Sequence, residues 1–200
     1  MGARSYHHGD LRAALIASAE RALQENGAAG INLRELARDI DVSHAAPRRH
    51  FKDKHDLLDA LAVSGYLRLT AALDEVDDES LPFAQRLTAR ADAYLRFAAA
   101  NGALLELMVS RKHRPDTNAE LPAALDRTMR PILQMITEAQ ERGEIVNEDP
   151  EGIALSLGAS IHGLAVLVAN GAFEADSAVD ALETLLRHLL RGLTPPQAAS

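Results

Sequence analysis

Hydrophobic positions recur at intervals of three and four along most of the chain, and the pattern nowhere shifts to the strict alternation of a half-buried strand. This spacing predicts an all-α protein. A first helix is expected over about residues 10 to 26, with Leu11, Ala14, Leu15, Ala19 and Ala22 on its buried face and Gly27 as its stop. Asn32 is placed to cap a second helix, and Glu35 at the N3 position to return a bond to the free N–H of the cap. Leu33, Leu36, Ala37 and Ile40 then fall on one face of that helix. The turn Asp41-Val42 puts an Asp where Gly would most easily supply positive φ, and Ser43 caps a third, short helix with Pro47 at or just after its first turn. Asp53 or a neighbour caps a long helix through Leu57, Leu58, Leu61, Ala62, Leu69 and Leu73, which ends in the acidic run 74 to 79. Residues 32 to 55 therefore read as a helix-turn-helix.

The remaining two thirds continue in helices, with signals at about 82 to 100, 103 to 111, 121 to 142, 150 to 170 and 176 to 191. They are punctuated by Pro82, Asn101-Gly102, Gly143, Pro150, Gly171, Gly192 and Pro195. The segment 111 to 122 is expected to be the most mobile connection. No uninterrupted apolar run reaches the roughly 18 residues of a membrane span, and the first ten residues are polar, so the expectation is a soluble, cytoplasmic protein without a membrane partner.

Charge sharpens this picture. The chain of 200 residues has a formal net charge of -8, yet residues 1 to 65 hold 9 Lys or Arg against 9 Asp or Glu, and residues 66 to 200 hold 12 against 20. Arg48, Arg49, Lys52 and Lys54, with Asp53 among them, form a locally basic element in an acidic protein, and point to a polyanion at that element. The absence of cysteine excludes disulfides and thiolate-metal sites. His7 and His8 beside Asp10 cannot converge on one ion, His162 reads as a hydrogen-bonded core histidine, and no phosphate loop, HExxH or nucleophile elbow is present. No metal, cofactor or catalytic apparatus is expected, and the chain does not read as an enzyme.

The segments Tyr6-His7-His8-Gly9-Asp10-Leu11-Arg12, Leu33-Arg34-Glu35-Leu36-Ala37, Val42-Ser43-His44-Ala45-Ala46-Pro47 and His50-Phe51-Lys52-Asp53-Lys54 together resemble the N-terminal domain of the TetR/AcrR family of one-component transcriptional regulators. Ser160-Ile161-His162-Gly163-Leu164-Ala165 resembles, more weakly, the His-Gly ("WHG") signature of one C-terminal subgroup. Residues 1–9 lack periodicity and are expected to be a flexible end, with entry of Arg4 into a minor groove as the less favoured reading, and the resemblance implies a helix-turn-helix head over 10–65. A long helix would join the head to an effector-binding and dimerisation bundle over 66–200. It implies a regulator, commonly a repressor, that binds a pseudo-palindromic operator in double-stranded DNA as a homodimer and is released by a small apolar or amphipathic effector.

Arg34, Ser43, His44, Ala45, Arg48, Arg49, His50, Lys52 and Lys54 are the candidate DNA contacts, with His44, Ala45, Arg48 and Arg49 nearest base edges. Two departures from the family pattern stand out: Arg48 where Tyr is usual, and Asp41 where Gly is usual. They keep a competing reading in view, a helical ligand-binding or protein-docking module whose head no longer binds DNA.

Two late helices carry apolar stripes. Ile153, Leu157, Ile161, Leu164 and Val168 form one, and Val179, Leu182, Leu185, Leu186, Leu189 and Leu190 the other. Packed across a two-fold axis they would make a four-helix dimer interface, with Ile153, Leu157, Ile161, Leu164, Val168, Leu182, Leu185, Leu186 and Leu189 as its expected members. Tyr66, Tyr94, Phe97, Met108, Met129 and His162 are the candidates to line an effector cavity.

Overall fold

The computed structural model describes residues 8–112, 114, 116–173 and 175–194. Residues 1–7 of the expected arm, Arg4 and His7 among them, and Pro195 lie outside the described residues, whereas His8 and Gly9 open the first helix and are not arm. Among the described residues the helices are α1 His8–Gly30, α2 Leu33–Asp39, α3 Lys54–Glu75, α4 Phe83–Ala100, α5 Gly102–Lys112, α6 Glu120–Glu141, α7 Pro150–Ala169 and α8 Ala175–Gly192, with one 3-10 turn at Pro47–Arg49. Among the described residues there is no strand, so the protein is all-α as its periodicity requires.

Most helix ends have the chemistry the sequence advertised. The Asn32 side chain accepts the Arg34 N–H at 2.9 Å, and Asp149 accepts the Gly152 N–H at 3.0 Å with Pro150 in the first turn behind it. At the start of α3, Asp53 Oδ1 accepts the Asp56 N–H at 2.9 Å while Asp56 Oδ2 reaches back to the Lys52 N–H at 3.0 Å, a reciprocal cap. Glu35 departs from expectation. Its carboxylate leans toward Arg38 at 4.0 Å, and none of the described hydrogen bonds joins it to Asn32. Gly27 interrupts α1 with φ 66° and ψ 176°, where the sequence predicts a stop, and one further helical stretch follows to Gly30.

The helix-turn-helix turn is a Schellman motif. The Asp41 N–H donates to the Arg38 carbonyl at 3.0 Å and the Val42 N–H to the Ala37 carbonyl at 2.9 Å, the same pairings that close α6 at Gly143 and α7 at Gly171. Those two glycines have φ of 68° and 71°, and Asp41 has φ 55°. Because a branched Cβ is poorly accommodated there, Asp41→Val is expected to destabilise the protein by about 1–2 kcal/mol, whereas Asp41→Gly is expected to be neutral or stabilising. Calorimetric midpoints of the two variants check this, and equal midpoints would contradict the left-handed turn.

The chain divides into two compact units, one of residues 8–66 with Ala103–Leu125 and one of Leu67–Gly102 with 126–194. This differs from the boundary expected at residue 65: α5 and the start of α6 belong with the helix-turn-helix. The reason lies in side chains far apart in sequence. Leu15, Ala19, Leu36, Phe51, Leu57, Leu61, Leu104 and Met108 are all buried, and a Cβ at Gly65 would lie only 2.5 Å from Met108 Sδ, so α3 and α5 approach closely at that glycine. Asp59 (2 % exposed) and Arg111 (3 %) form a buried ion pair, with Arg111 Nε donating to Asp59 Oδ1 at 2.6 Å. Asp59 Oδ2 accepts the Asn118 N–H at 2.9 Å, so one carboxylate holds both the last turn of α5 and the segment that follows it. Arg12 lies over the Phe51 ring at 5.5 Å and 3.9 Å from Glu120, which adds a cation–π contact and a weak ion pair to the same unit.

In the second unit α4, α7 and α8 pack against one another. Asp77 sits at a polar knot: Arg86 donates to it twice, at 3.0 and 2.9 Å, and also to Glu138 at 3.2 Å, and Arg90 makes a 3.0 Å ionic contact from the other side. The Arg86 hydrogen bonds, aided by the charge of Arg90 and opposed by burial, hold the Asp77 carboxyl below its ordinary value of 3.8. A carboxyl depressed in the folded state contributes stability above the unfolded value, and that contribution is lost as pH falls through the folded one. Stability is therefore expected to drop as pH falls below about 4, and Asp77→Asn to lower stability at neutral pH while flattening that acid limb. Urea titrations at pH 7 and at pH 3.5 check both, and an unchanged acid limb in Asp77→Asn would clear Asp77 of the role.

Candidate nucleic-acid interface

The recognition segment differs from the short α-helix expected after Ser43. The Ala46 N–H donates to the Ser43 carbonyl at 2.9 Å, Arg49 to Ala46 at 3.1 Å and His50 to Pro47 at 3.0 Å, all three-residue steps, before Phe51 bonds back four residues to Pro47 at 2.9 Å. Pro47 explains this. It has no N–H to offer the Ser43 carbonyl four residues earlier, so the segment tightens to a 3-10 turn. Buried Pro47 and Phe51 fix the inner side, and Ser43, His44, Ala45, Arg48, Arg49 and Lys52 are all exposed.

An open cleft of about 790 Å³ lies beside this turn. The loop Ala29 to Asn32, the first residues of α2 with Arg34 and Glu35, and His44, Ala45, Arg48 and Lys54 line it. Three cations and a histidine thus face one concavity against a single carboxylate. Arg49 and Lys52 are exposed outside it, and His50 is half-buried. Lys54, expected as a phosphate contact, is instead half-buried with its ammonium donating to the Ala29 carbonyl at 2.7 Å, which ties the start of α3 to the loop before α2. Lys54 therefore holds that loop as well as lining the cleft. The contribution of Ala29, Gly30 and Ile31 was not signalled by the sequence, because a loop between two caps carries no periodicity.

The C-terminal candidates are rearranged more deeply. Ile153, Leu157, Ile161, Leu164, Leu182 and Leu186 are each no more than 8 % exposed inside their own subunit, and Val168, Leu185 and Leu189 are half-buried. Six of the nine expected dimer residues are thus covered by their own subunit, in which α4, α7 and α8 pack against one another. The outward side of α7 carries Leu155 (73 % exposed), Val166 (38 %) and Leu167 (48 %). Helix α7 is in fact long and apolar enough to cross a membrane by length and composition, which an uninterrupted-run criterion missed because Ser156, Ser160 and His162 divide it.

The effector candidates fall in different units. Tyr66 and Met108 are in the first, where the Tyr66 hydroxyl donates to the Met108 carbonyl at 3.3 Å and burial pushes its pKa up to about 12. Met108 is 1 % exposed against Gly65, so both belong to close packing. Tyr94, Phe97, Met129 and His162 are in the second unit, where the Tyr94 hydroxyl lies 2.8 Å from His162 Nδ1 and Phe97 is 8 % exposed. Among the described residues no cluster of His, Asp and Glu is placed to hold a metal ion.

Two family models match the chain. Residues 15–61 match the bacterial regulatory proteins of the tetR family, and residues 87–193, more than half of the chain, match a tetracyclin repressor-like C-terminal domain. The chain belongs to the TetR family of transcriptional regulators. A Rhodococcus sp. RHA1 protein of unknown function is 40% identical over 96% of this chain and 100% of its own, with a TM-score of 0.86. Two more distant structures share the TetR-family fold. A Rhodococcus RHA1 regulatory protein of the tetR family is 22% identical, covering 93% of this chain and 98% of that one with a TM-score of 0.73. The regulator FadR of Bacillus subtilis, solved with stearoyl-CoA, is 17% identical, covering 90% and 98% with a TM-score of 0.75. No curated protein matches. The basic cleft lies in the unit that carries the family's DNA-binding domain.

Proposed function

We propose that this TetR-family regulator is a repressor that binds a pseudo-palindromic operator as a homodimer and releases it when a small apolar or amphipathic effector binds. The observation that carries the reading is the exposed cationic surface of Arg34, Arg48, Arg49 and Lys52 around a correctly closed helix-turn-helix turn, in a chain whose net charge is -8. The turn at Ser43 to Arg49 enters the major groove. Small Ala45 and flexible Arg48 approach base edges, and Ser43, Lys52 and the backbone N–H groups near Asn32 face phosphates. Two heads on adjacent half-sites are then about 34–36 Å apart. The intact Asp41 turn argues against a head that has lost DNA binding, since Asp at that position still supports the fold of the motif.

The effector belongs to the C-terminal unit, where Tyr94 and His162 offer a polar pair among apolar helices. The fold neighbour FadR holds an acyl-CoA, a ligand of the same amphipathic character. To move the DNA-competent population from nearly all to nearly none, the effector must prefer the other state by about 5.5 kcal/mol. Selection of genomic fragments by the purified protein tests the core of the proposal. Enrichment of one inverted repeat is expected, and uniform weak retention would favour the docking module instead.

A further inference from the structure

Lys54 is the first residue of a 22-residue helix, at the end where the aligned peptide dipoles disfavour a cation. The cap of that helix does not use its side chain: Asp53 accepts the Asp56 N–H, Asp56 accepts the Lys52 N–H, and the Lys54 ammonium turns away to the Ala29 carbonyl. Ala29 lies two residues past the left-handed Gly27, in the last stretch of α1. One 2.7 Å bond between residues 25 apart thus closes a ring that contains the whole of α2, the Asp41 turn and the recognition turn.

The tie acts on the basic cleft. One wall of the cleft is the stretch 29–35, and the other is His44, Ala45 and Arg48. The first wall has no regular structure at residues 31 and 32, so no helical ladder holds it there; Ile31, 3 % exposed, pins its middle and Lys54 pins its start. Lys52 is the contrast. It is exposed, and among the described residues its ammonium has no partner, so it is free to meet a phosphate where Lys54 is already engaged.

Resting on the DNA-binding reading above, we propose that Lys54 is a positioning residue for operator recognition, acting through the loop 29–32 and not by pairing with a phosphate. It sets the backbone N–H groups near Asn32, and the Arg34 side chain beyond them, at a fixed distance from the recognition turn. A fixed wall favours the one docking geometry in which the phosphate contacts of α2 and the base contacts of the turn are made together. Nonspecific DNA, held by phosphate charge without that register, gains little from it.

Three variants of the full chain test this, with the inverted repeat enriched from genomic fragments as the specific probe and a scrambled duplex of equal length as the nonspecific one. Lys54→Met keeps the apolar stem and removes donor and charge, Lys54→Arg restores both, and Lys52→Met removes an exposed cation. Lys54→Met is expected to weaken operator binding by at least about 10-fold, the scale of one charged hydrogen bond, with affinity for the scrambled duplex within about 3-fold of wild type. Its salt slope is expected to change by less than half as much as that of Lys52→Met, about 2 for the homodimer. Lys54→Arg is expected to recover operator binding. In the free protein, amide exchange over residues 28–35 is expected to quicken in Lys54→Met and not in Lys54→Arg, while circular dichroism shows both folded. Equal loss on both duplexes with a full change of slope would make Lys54 a phosphate contact, and unchanged operator affinity or unchanged exchange would make the tie idle; each overturns the proposal and leaves DNA binding standing. A wild type that enriches no inverted repeat would remove the DNA-binding reading, and this proposal with it.

Discussion

Asp59→Ala is expected to destabilise the DNA-binding unit by about 3–5 kcal/mol, the cost of leaving a buried guanidinium without its counter-charge. Arg111 is 3 % exposed, in the last turn of α5. The same substitution removes the acceptor of the Asn118 N–H, so the segment leading into α6 loosens as well. Set against a total of about 5–15 kcal/mol for a typical native protein, this is enough to populate partly unfolded protein at growth temperature. The double replacement Asp59→Leu with Arg111→Met is expected to recover most of the loss, since an apolar pair of similar size asks for no compensating charge. Guanidinium titrations of the two single variants and the double variant give the coupling directly. A cost below about 1 kcal/mol for Asp59→Ala would mean that the pair is solvated like an exposed salt bridge.

The second large effect is on DNA. Removing Arg48 and Arg49 together is expected to weaken operator binding by at least about 100-fold and to reduce the slope of log affinity against log salt by about 2 for each subunit, about 4 for the homodimer, since each phosphate-contacting cation lost is about one fewer counterion released. If one of them reads a base, its single alanine variant also relaxes preference at one operator position by about 1–3 kcal/mol, whereas a pure phosphate contact lowers affinity for all sequences alike. Mobility shifts at several salt concentrations separate the two. Unchanged binding would take the recognition turn out of the interface.

Helix ends were legible because each depends on residues adjacent in sequence: Asn32 and Asp53 as caps, Pro150 in an opening turn, Gly143 and Gly171 as left-handed stops, Asp41 as a stop without glycine. The basic recognition element was legible for the same reason. What escaped notice depends on pairings across long separations or on a choice that periodicity does not make. Asp59 and Arg111 are 52 residues apart, and nothing local in either marks them as partners, so the inclusion of α5 in the DNA-binding unit was hidden. Lys54 reads as one more surface cation until its contact with Ala29, 25 residues earlier, is seen. For α7, Ile153, Leu157, Ile161 and Leu164 make a good stripe, but so do Leu155, Ala159, Val166 and Leu167. A helix with two apolar sides gives no sign in its spacing of which side its own chain will cover.

That second side of α7 has a practical corollary. Leu155 at 73 % and Leu167 at 48 % exposure leave hydrocarbon in water on the folded subunit, so this region answers to the solvent more than the rest of the molecule does. Sulfate or sucrose, by being excluded from the surface, drives such side chains toward any apolar partner, and urea at concentrations too low to unfold the chain releases them. Buffer choice thus acts on association before it acts on folding.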